Sequence, residues 1–175
     1  MPTHPNSRTQ LTLFPALPLR SKLDALRLSL DPVQASLIPA HVTLCREDEI
    51  ENQDLTTILQ RARSWPHGAL TLSFGQAQRF NGHGILLPCL LGSSTFQDLR
   101  QWLLQGPAVR EHHAHLTLAH PRNPRSSGNN EASLAACPQS LELSFRSVSL
   151  IEQHGGLPWR VLQEASLGGT ESSVA

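Results

Sequence analysis

The sequence is poor in cysteine and has no long apolar run. Its three cysteines, Cys45, Cys89 and Cys137, are an odd number without C-x-x-C spacing. They argue against a disulfide scaffold and a structural zinc site, and they predict a reducing compartment, the cytoplasm. The first ten residues are polar, and no apolar run approaches the roughly 20 residues that span a bilayer. We therefore expect a soluble protein without a signal peptide or a membrane anchor.

The formal net charge of the chain at pH 7 is zero. The chain of 175 residues has 14 lysine and arginine residues and 14 aspartate and glutamate residues. This balance argues against a protein that holds long nucleic acid by its overall charge, but it is compatible with a short RNA end or a small phosphorylated molecule. Histidine, in contrast, is abundant. The chain has nine histidines, and five of them fall between positions 83 and 120.

The order of the predicted elements indicates an α+β fold. Alternating apolar residues predict strands, and apolar residues at helical spacing predict helices. Closely spaced strands need antiparallel connections, which argues against a doubly wound parallel sheet. The Asp31-Pro32 pair is predicted to end the first helix, and residues 121–130 are predicted to form a loop. The strands are predicted at 11–19, 41–46, 70–74, 85–91, 113–118, 141–151 and 159–162, and the helices at 21–30, 47–64 and 93–105.

Two halves of the chain repeat one pattern, in which a helix leads to a strand with the string His-x-Thr-Leu. This repeat predicts a bilobal, pseudo-two-fold duplication with two antiparallel sheets that line a central cleft and with helices outside. We expect one domain over residues 9–166, flexible tails at 1–8 and 168–175, and a monomer.

The repeated strings are His41-Val42-Thr43-Leu44 and His115-Leu116-Thr117-Leu118. On a strand, residues two apart share a face, so in each string the histidine and the threonine face one way and the two apolar residues face the other. The apolar face is predicted to pack against the helices. The other face would present two imidazoles and two hydroxyls to a shared cleft, where they surround an anion.

Two histidines and two threonines suit the cleavage of a phosphodiester. Because the pKa of histidine is about 6.5, one ring can take a proton from the attacking water or hydroxyl while the other gives a proton to the leaving oxygen. The threonine hydroxyls would donate to the non-bridging oxygens, where charge develops in the transition state. This chemistry requires no metal and no cofactor.

The paired His-x-Thr strings resemble those of the 2H phosphoesterase superfamily, in particular its bacterial 2′-5′ RNA ligase and RNA 2′,3′-cyclic phosphodiesterase branch. The segments Phe14–Leu19, His113–Leu118 and Ser144–Leu162 are similar to the family's opening strand, second motif and closing hairpin. The resemblance implies a bilobal fold and a metal-independent enzyme that converts 2′,3′-cyclic phosphates of RNA ends or nucleotides to 2′-phosphates. Reversible 2′-5′ RNA ligase activity would use the same residues. The resemblance implies that the catalytic residues are His41, Thr43, His115 and Thr117.

The flanks of the motifs depart from the ligase branch. His120 occupies a position that is often arginine in that branch, and Cys45-Arg46 replaces an apolar residue and a glycine turn. The natural substrate can therefore differ from that of the ligases. The candidate substrate-binding residues are Arg46, His113, His120, Arg122 and Arg125.

Two other functions are compatible with the sequence. His113 and His115 form an H-x-H pair, which with Glu111 or another ligand would suit a metal-dependent β-fold enzyme. Alternatively, the chain is a non-catalytic module that binds RNA or a nucleotide. Phe74, Phe80 and Trp159 are candidates for stacking on a base, although Phe74 is expected to lie in the core.

Overall fold

The computed structural model describes residues 7–80, 84–107, 109–121, 126, 128 and 130–168. These residues form nine strands and six helices. The strands are β1 (Ser7–Leu13), β2 (Val42–Cys45), β3 (Leu70–Phe74), β4 (Gln78–Phe80), β5 (Gly84–Leu91), β6 (His115–Ala119), β7 (Leu141–Phe145), β8 (Ser147–His154) and β9 (Arg160–Ser166). The helices are α1 (Leu19–Leu30), α2 (Pro32–Leu37), α3 (Glu47–Ile50), α4 (Leu55–Arg63), α5 (Ser93–Leu104) and α6 (Glu131–Ala136).

The strands form one curled sheet in the order β7-β3-β5-β6-β2-β1-β8-β9, with β4 paired to β5. Neighbouring strands are antiparallel throughout. The predicted α+β class with antiparallel sheets is therefore confirmed. The two predicted sheets are joined by the pairing of β2 with β6, and four strands of the main path lie on each side of that junction.

The duplication is visible in the connections on either side of the junction. In the first half, β1 leads through α1 and α2 to β2, which pairs antiparallel with β1. In the second half, β5 leads through α5 to β6, which pairs antiparallel with β5. The motif strands β2 and β6 are thus equivalent members of the two halves, and they lie at the centre of the sheet.

Alternating residues of β2 and β6 anchor the motifs in the core. Val42, Leu44, Leu116 and Leu118 are no more than 1% exposed, as the period-2 pattern predicts. Burial of an aliphatic side chain of this size contributes about 1.5–3 kcal/mol. The intervening histidines and threonines are half-buried on the opposite face.

The strand predicted at 11–19 ends at Leu13, and α1 begins at Leu19, two residues before its predicted start. Two further helix boundaries differ from the prediction because an aspartate caps a new helix. The Asp31 side chain accepts from the Gln34 amide and Pro32 occupies the first turn of α2, so this pair begins a helix as well as ending one. Pro tolerates that position because the first amides of a helix have no partner within it. Asp54 likewise caps α4 through the Thr56 amide, and the helix predicted at 47–64 is divided into α3 and α4.

The C-terminal strands are divided as well. The strand predicted at 141–151 is two strands, β7 and β8, separated by Arg146. The predicted return strand is confirmed, because β9 pairs with β8 after Gly155 and Gly156, whose φ angles of 52° and 86° permit the tight turn. The short β4 and α6 were not predicted.

The N-terminal end of the described part of the chain is a strand. Strand β1 begins at Ser7, two residues before the predicted start of the domain. Residues 1–6 and 169–175 lie outside the described residues, and so do residues 81–83 of the string Asn81-Gly82-His83-Gly84, which predicts a turn. Among the described helices, none is both long enough and apolar enough to cross a membrane.

Candidate active site

The two motifs lie side by side in the sheet. Val42 of β2 pairs with Leu116 of β6 in antiparallel register. Continued by one residue in each direction, this register sets His41 opposite Thr117 and Thr43 opposite His115. Directly opposite residues of antiparallel strands have Cβ atoms about 4.5–5.5 Å apart. On this register, each histidine has the threonine of the other motif as its cross-strand neighbour, and the two motif strands adjoin at the Val42–Leu116 pair.

Both motif histidines are oriented by the same main-chain contact. His41 Nδ1 lies 2.8 Å from the carbonyl oxygen of Pro39, and His115 Nδ1 lies 2.9 Å from the carbonyl oxygen of His113. A carbonyl oxygen only accepts, so Nδ1 carries the proton in both rings. In the neutral ring, Nε2 is then the nitrogen with the lone pair. This tautomer leaves Nε2 of each ring available to exchange a proton with a bound molecule.

The surroundings of His41 favour its neutral form. Burial lowers the pKa of His41 to about 4, and the charges of Arg27, His115 and His120 lower it further, although the hydrogen bond to Pro39 opposes them. At neutral pH, His41 is therefore an unprotonated base.

Aromatic rings flank each histidine. The Phe14 ring lies edge-on to His41 with ring centres 6.3 Å apart, and the Phe80 ring lies 6.5 Å from that of His115. His112 is a further neighbour of His115, at 5.9 Å. Phe74 is in the core and 1% exposed, as expected. Phe80 is therefore the sequence-predicted aromatic residue that lies beside a motif histidine.

Sequence reasoning missed two buried arginines that hold the motif strands. On α1, Arg27 donates to the carbonyl oxygens of Ile38 and Thr117. On α5, Arg100 donates to the carbonyl oxygen of Leu44. Both side chains point to the core, with exposures of 3% and 0%. The available signal was an arginine at helical spacing among apolar residues, as with Leu23 and Leu30 around Arg27.

Arg100 also forms an ion pair at the end of β2. Its Nη2 lies 2.5 Å from Glu49 Oε1 and donates to the Arg110 carbonyl oxygen at 2.9 Å. Burial would raise the pKa of Glu49, but the hydrogen bonds from Arg100 and from the Arg46 amide outweigh it and lower that pKa. This ion pair fixes α3 and α5 against the first motif.

The candidate substrate-binding residues take different positions. His120 lies near the motifs, because its charge acts on His41 and its amide donates to Asp31 Oδ2 at 2.9 Å. Arg46 is exposed and caps α3. The His113 side chain is 88% exposed, whereas its carbonyl oxygen orients His115. Arg122 and Arg125 lie outside the described residues.

The H-x-H pair does not present two rings from one strand face. Strand β6 begins at His115, so His113 lies in the preceding loop. Glu111 Oε1 is 3.9 Å from His113 Nδ1 on an exposed surface. Over the described ranges, histidine, cysteine, aspartate and glutamate form no group of three that could hold a metal ion.

Comparison with known proteins identifies similar chains. A family model described as the 2′-5′ RNA ligase superfamily matches residues 15–157. No curated protein matches the chain in sequence. Among solved structures, the chain is similar to E. coli LigT complexed with 3′-AMP, with 15% identity over 94% of this chain and 99% of that chain and a TM-score of 0.61. TT0787 of Thermus thermophilus is similar over 93% and 98% of the two chains, with 15% identity and a TM-score of 0.53. At such identities, the structures show a shared fold.

Proposed function

This chain belongs to the 2′-5′ RNA ligase superfamily, and on that premise we propose that it is a phosphoesterase that opens 2′,3′-cyclic phosphates. Its substrates would be RNA ends or nucleotides, and its products 2′-phosphates. The observation that carries the proposal is the matched pair of rings. His41 and His115 have the same tautomer, fixed by the same type of carbonyl contact, and stand on one face of adjacent strands.

The proposed reaction is an in-line displacement at phosphorus. His41 takes a proton from water through Nε2, and the water oxygen forms a bond to phosphorus. The bond from phosphorus to O3′ breaks, and protonated His115 gives its Nε2 proton to O3′. The 2′ ester remains, so the product is a 2′-phosphate. We assign the base role to His41 because burial keeps its ring neutral at neutral pH.

Thr43 and Thr117 would stabilise the transition state. Each lies opposite the histidine of the other motif and is half-buried on the same face. Their hydroxyls would donate to the two non-bridging phosphate oxygens. A donor aimed at developing charge is typically worth about 10²–10³-fold in rate.

Joining of RNA ends would use the same site. If a 5′-hydroxyl takes the place of water, His41 removes its proton and the product is a 2′-5′ phosphodiester. The reverse reaction exchanges the acid and base roles. The solved structure of E. coli LigT with 3′-AMP, a fold relative that holds a nucleotide, supports a nucleotide ligand for this chain.

Turnover of a 2′,3′-cyclic nucleotide tests the proposal. We expect wild-type protein treated with EDTA to convert 2′,3′-cyclic AMP to 2′-AMP. His41→Gln and His115→Gln should each lower kcat by about 10²-fold or more, since each ring supplies a general acid or base. His67→Gln is the matched control, because His67 is an exposed histidine outside both motifs.

Three results would contradict the proposal. A 3′-phosphate product would place the leaving group on the wrong oxygen. Activity lost with EDTA and restored by a metal would favour the metal-dependent alternative. Nucleotide binding without turnover in the wild-type protein would favour the non-catalytic module.

A further inference from the structure

The peptide group between Pro39 and Ala40 lies directly before His41 and makes a hydrogen bond through each of its polar atoms. Its carbonyl oxygen accepts from His41 Nδ1 at 2.8 Å. Its N–H group, which belongs to Ala40, donates to Asp24 Oδ1 at 2.6 Å. Because both bonds belong to one planar, resonance-stabilised peptide group, the Asp24 carboxylate is connected to the His41 ring through that group.

One turn of α1 fixes the chain that leads into the first motif. Asp24 lies three residues before Arg27, and its Oδ1 is 4.0 Å from Arg27 Nη1. Arg27 donates to the carbonyl oxygen of Ile38, whereas Asp24 accepts from the amide of Ala40. Ala40 is 0% exposed, so its amide needs an acceptor within the protein. The two side chains therefore hold residues 38–40 from both the donor and the acceptor side.

The charge of Asp24 strengthens the contact that orients His41. A hydrogen bond to a carboxylate is about twice as strong as one between neutral groups. It shifts electron density toward the carbonyl oxygen of the same peptide group, and hydrogen bonds in such a chain strengthen one another. The carbonyl oxygen of Pro39 is therefore a better acceptor for His41 Nδ1. This contact raises the pKa of His41 against the larger opposing effect of burial, so it favours the ring most when the ring is protonated.

The second motif is built differently at this point. Gln97 takes the place of Asp24 in the second half, three residues before the buried arginine of α5. Its side-chain oxygen is neutral and accepts from the His112 amide at 3.4 Å. The peptide group that orients His115 has its N–H in Ala114, and within the described ranges no side chain accepts from that N–H. Only the first motif thus has a carboxylate behind its orienting carbonyl group in the described part of the chain.

We propose that Asp24 is a positioning residue for His41, which it holds in one tautomer and one orientation through the peptide group between Pro39 and Ala40. This inference rests on the proposed function, in which His41 takes the proton of the attacking water. As Nε2 binds that proton, the ring becomes positively charged and Nδ1 donates more strongly to the Pro39 carbonyl oxygen. The Asp24 carboxylate stabilises this charge through the same hydrogen bonds and stays unprotonated itself. It acts as the aspartate of a Ser-His-Asp triad does, with a peptide group inserted.

A direct contact between Asp24 and the substrate is the alternative to be separated from this role. Asp24 and Pro39 both line a cavity of about 470 Å³, so the carboxylate is accessible from that side. A side chain that binds the substrate equally in the ground state and the transition state changes KM, whereas one that acts on the base in the transition state changes kcat. Separate measurement of kcat and KM therefore distinguishes the two roles.

Two variants of Asp24 separate its charge from its hydrogen bond. Asp24→Asn keeps an oxygen that accepts from the Ala40 amide but removes the charge, and Asp24→Ala removes both. The outer-shell partners of metal-binding histidines are typically worth about 10- to 100-fold in activity. On 2′,3′-cyclic AMP we expect kcat to fall about 10-fold in Asp24→Asn and up to about 100-fold in Asp24→Ala, with KM unchanged. Asp54→Asn is the matched control and should keep the wild-type kcat, because Asp54 accepts from a main-chain amide at the exposed start of α4.

The tautomer of His41 gives a second measurement that does not depend on turnover. In ¹⁵N NMR spectra of the histidine rings at pH 7, we expect His41 of the wild type to carry its proton on Nδ1 only. Asp24→Asn should keep this tautomer, because the Ala40 amide retains an acceptor. Asp24→Ala should show a mixture of the two tautomers. The ring of His115, which a different carbonyl oxygen orients, is the internal control and should give the same signals in all three proteins.

Several results would overturn the inference. A raised KM with an unchanged kcat would make Asp24 a substrate contact. An unchanged kcat or an unchanged His41 tautomer in Asp24→Ala would show that the carboxylate does not position the ring. Equal changes in the signals of His41 and His115 would show a general disturbance of the fold. If the wild type does not turn over 2′,3′-cyclic AMP, the proposed function fails, and the ring spectra alone decide whether Asp24 holds His41.

Discussion

The Nε of Arg27 donates a hydrogen bond to the carbonyl oxygen of Thr117, 3.2 Å away, and so joins a helix of the first half to the motif of the second. Arg100, on the equivalent helix of the second half, donates to the carbonyl oxygen of Leu44 in the first motif. Each motif strand is thus held by a buried arginine from the other half. The four proposed catalytic side chains are positioned by main chain that the core fixes from both sides.

Arg27 is expected to influence the protonation of His41 as well as its position. Its charge is one of the causes that lower the pKa of His41, after burial. In Arg27→Met, the acid limb of the pH profile of kcat/KM should move from near pH 4 to higher pH, because a protonated His41 no longer acts as a base. The measurement is turnover of 2′,3′-cyclic AMP between pH 3.5 and 8.

Two variants control for a purely structural effect of losing a buried arginine. Arg27→Lys keeps the charge and should restore the low acid limb. Arg100→Met also removes a buried guanidinium, but its charge acts on His112 and is not among the causes that shift His41. Equal shifts in Arg27→Met and Arg100→Met would refute the specific effect of Arg27.

His112 should make the free energy of unfolding depend on pH. Burial, followed by the charge of Arg100, lowers the pKa of His112 to about 4, and over the described residues its Nε2 has no hydrogen-bond partner. Between pH of about 6.5 and 4, unfolded His112 binds a proton that the folded protein does not bind, so stability falls as the pH is lowered through this range. A pKa lowered from 6.5 to about 4 corresponds to about 3 kcal/mol, and because solvent screens the partly exposed ring, the expected loss is on the order of 2 kcal/mol.

Replacement of His112 should remove this part of the pH dependence. The ring packs near Phe96, with centres 6.1 Å apart, so His112→Phe suits the site. Urea denaturation at pH 8 and pH 5 should show a smaller loss of stability in His112→Phe than in the wild type. His67→Phe is the control, because His67 is exposed. The same pH dependence in all three proteins would contradict this prediction.

Much of the fold was predictable, because β2, β6 and the helices follow hydrophobic periodicity. Val42 and Leu44 alternate with His41 and Thr43, and the structure buries the first pair and leaves the second half-exposed. The division of the helix at 47–64 was not predictable from periodicity, since the pattern runs through the Asp54 cap. The split between β7 and β8 has the same origin, because the alternation continues across Arg146.

The motif residues of the candidate site were recognisable from the sequence, but their arrangement was not. Local pattern fixes which face His41 and His115 occupy, whereas the pairing of Val42 with Leu116 depends on how the halves join. The roles of Arg27 and Arg100 were not predicted from the sequence either. Each donates to a carbonyl oxygen far along the chain. Because every residue type has a main-chain carbonyl oxygen, the sequence does not show which one accepts.

The two threonines should contribute to the rate through their hydroxyls alone. Thr43→Val and Thr117→Val keep the shape and β-propensity of the side chain, so the fold should persist. Each should lower kcat/KM on 2′,3′-cyclic AMP by about 10²-fold, as expected when a donor to developing charge is lost.

Thr12→Val is the matched control for the threonines. Thr12 is the cross-strand neighbour of Thr43 on β1, but it is 0% exposed and its hydroxyl accepts from Gln10. Its hydroxyl therefore does not reach a bound molecule. A loss of activity in Thr12→Val as large as that in Thr43→Val would show that the effect is structural.

A crystal structure with inorganic phosphate tests most directly the claim that the two motifs form one phosphate site. We predict one anion within hydrogen-bond distance of Nε2 of both His41 and His115, with the hydroxyls of Thr43 and Thr117 donating to its oxygens. An anion bound at a different place, or two anions that each contact a single motif, would contradict the account.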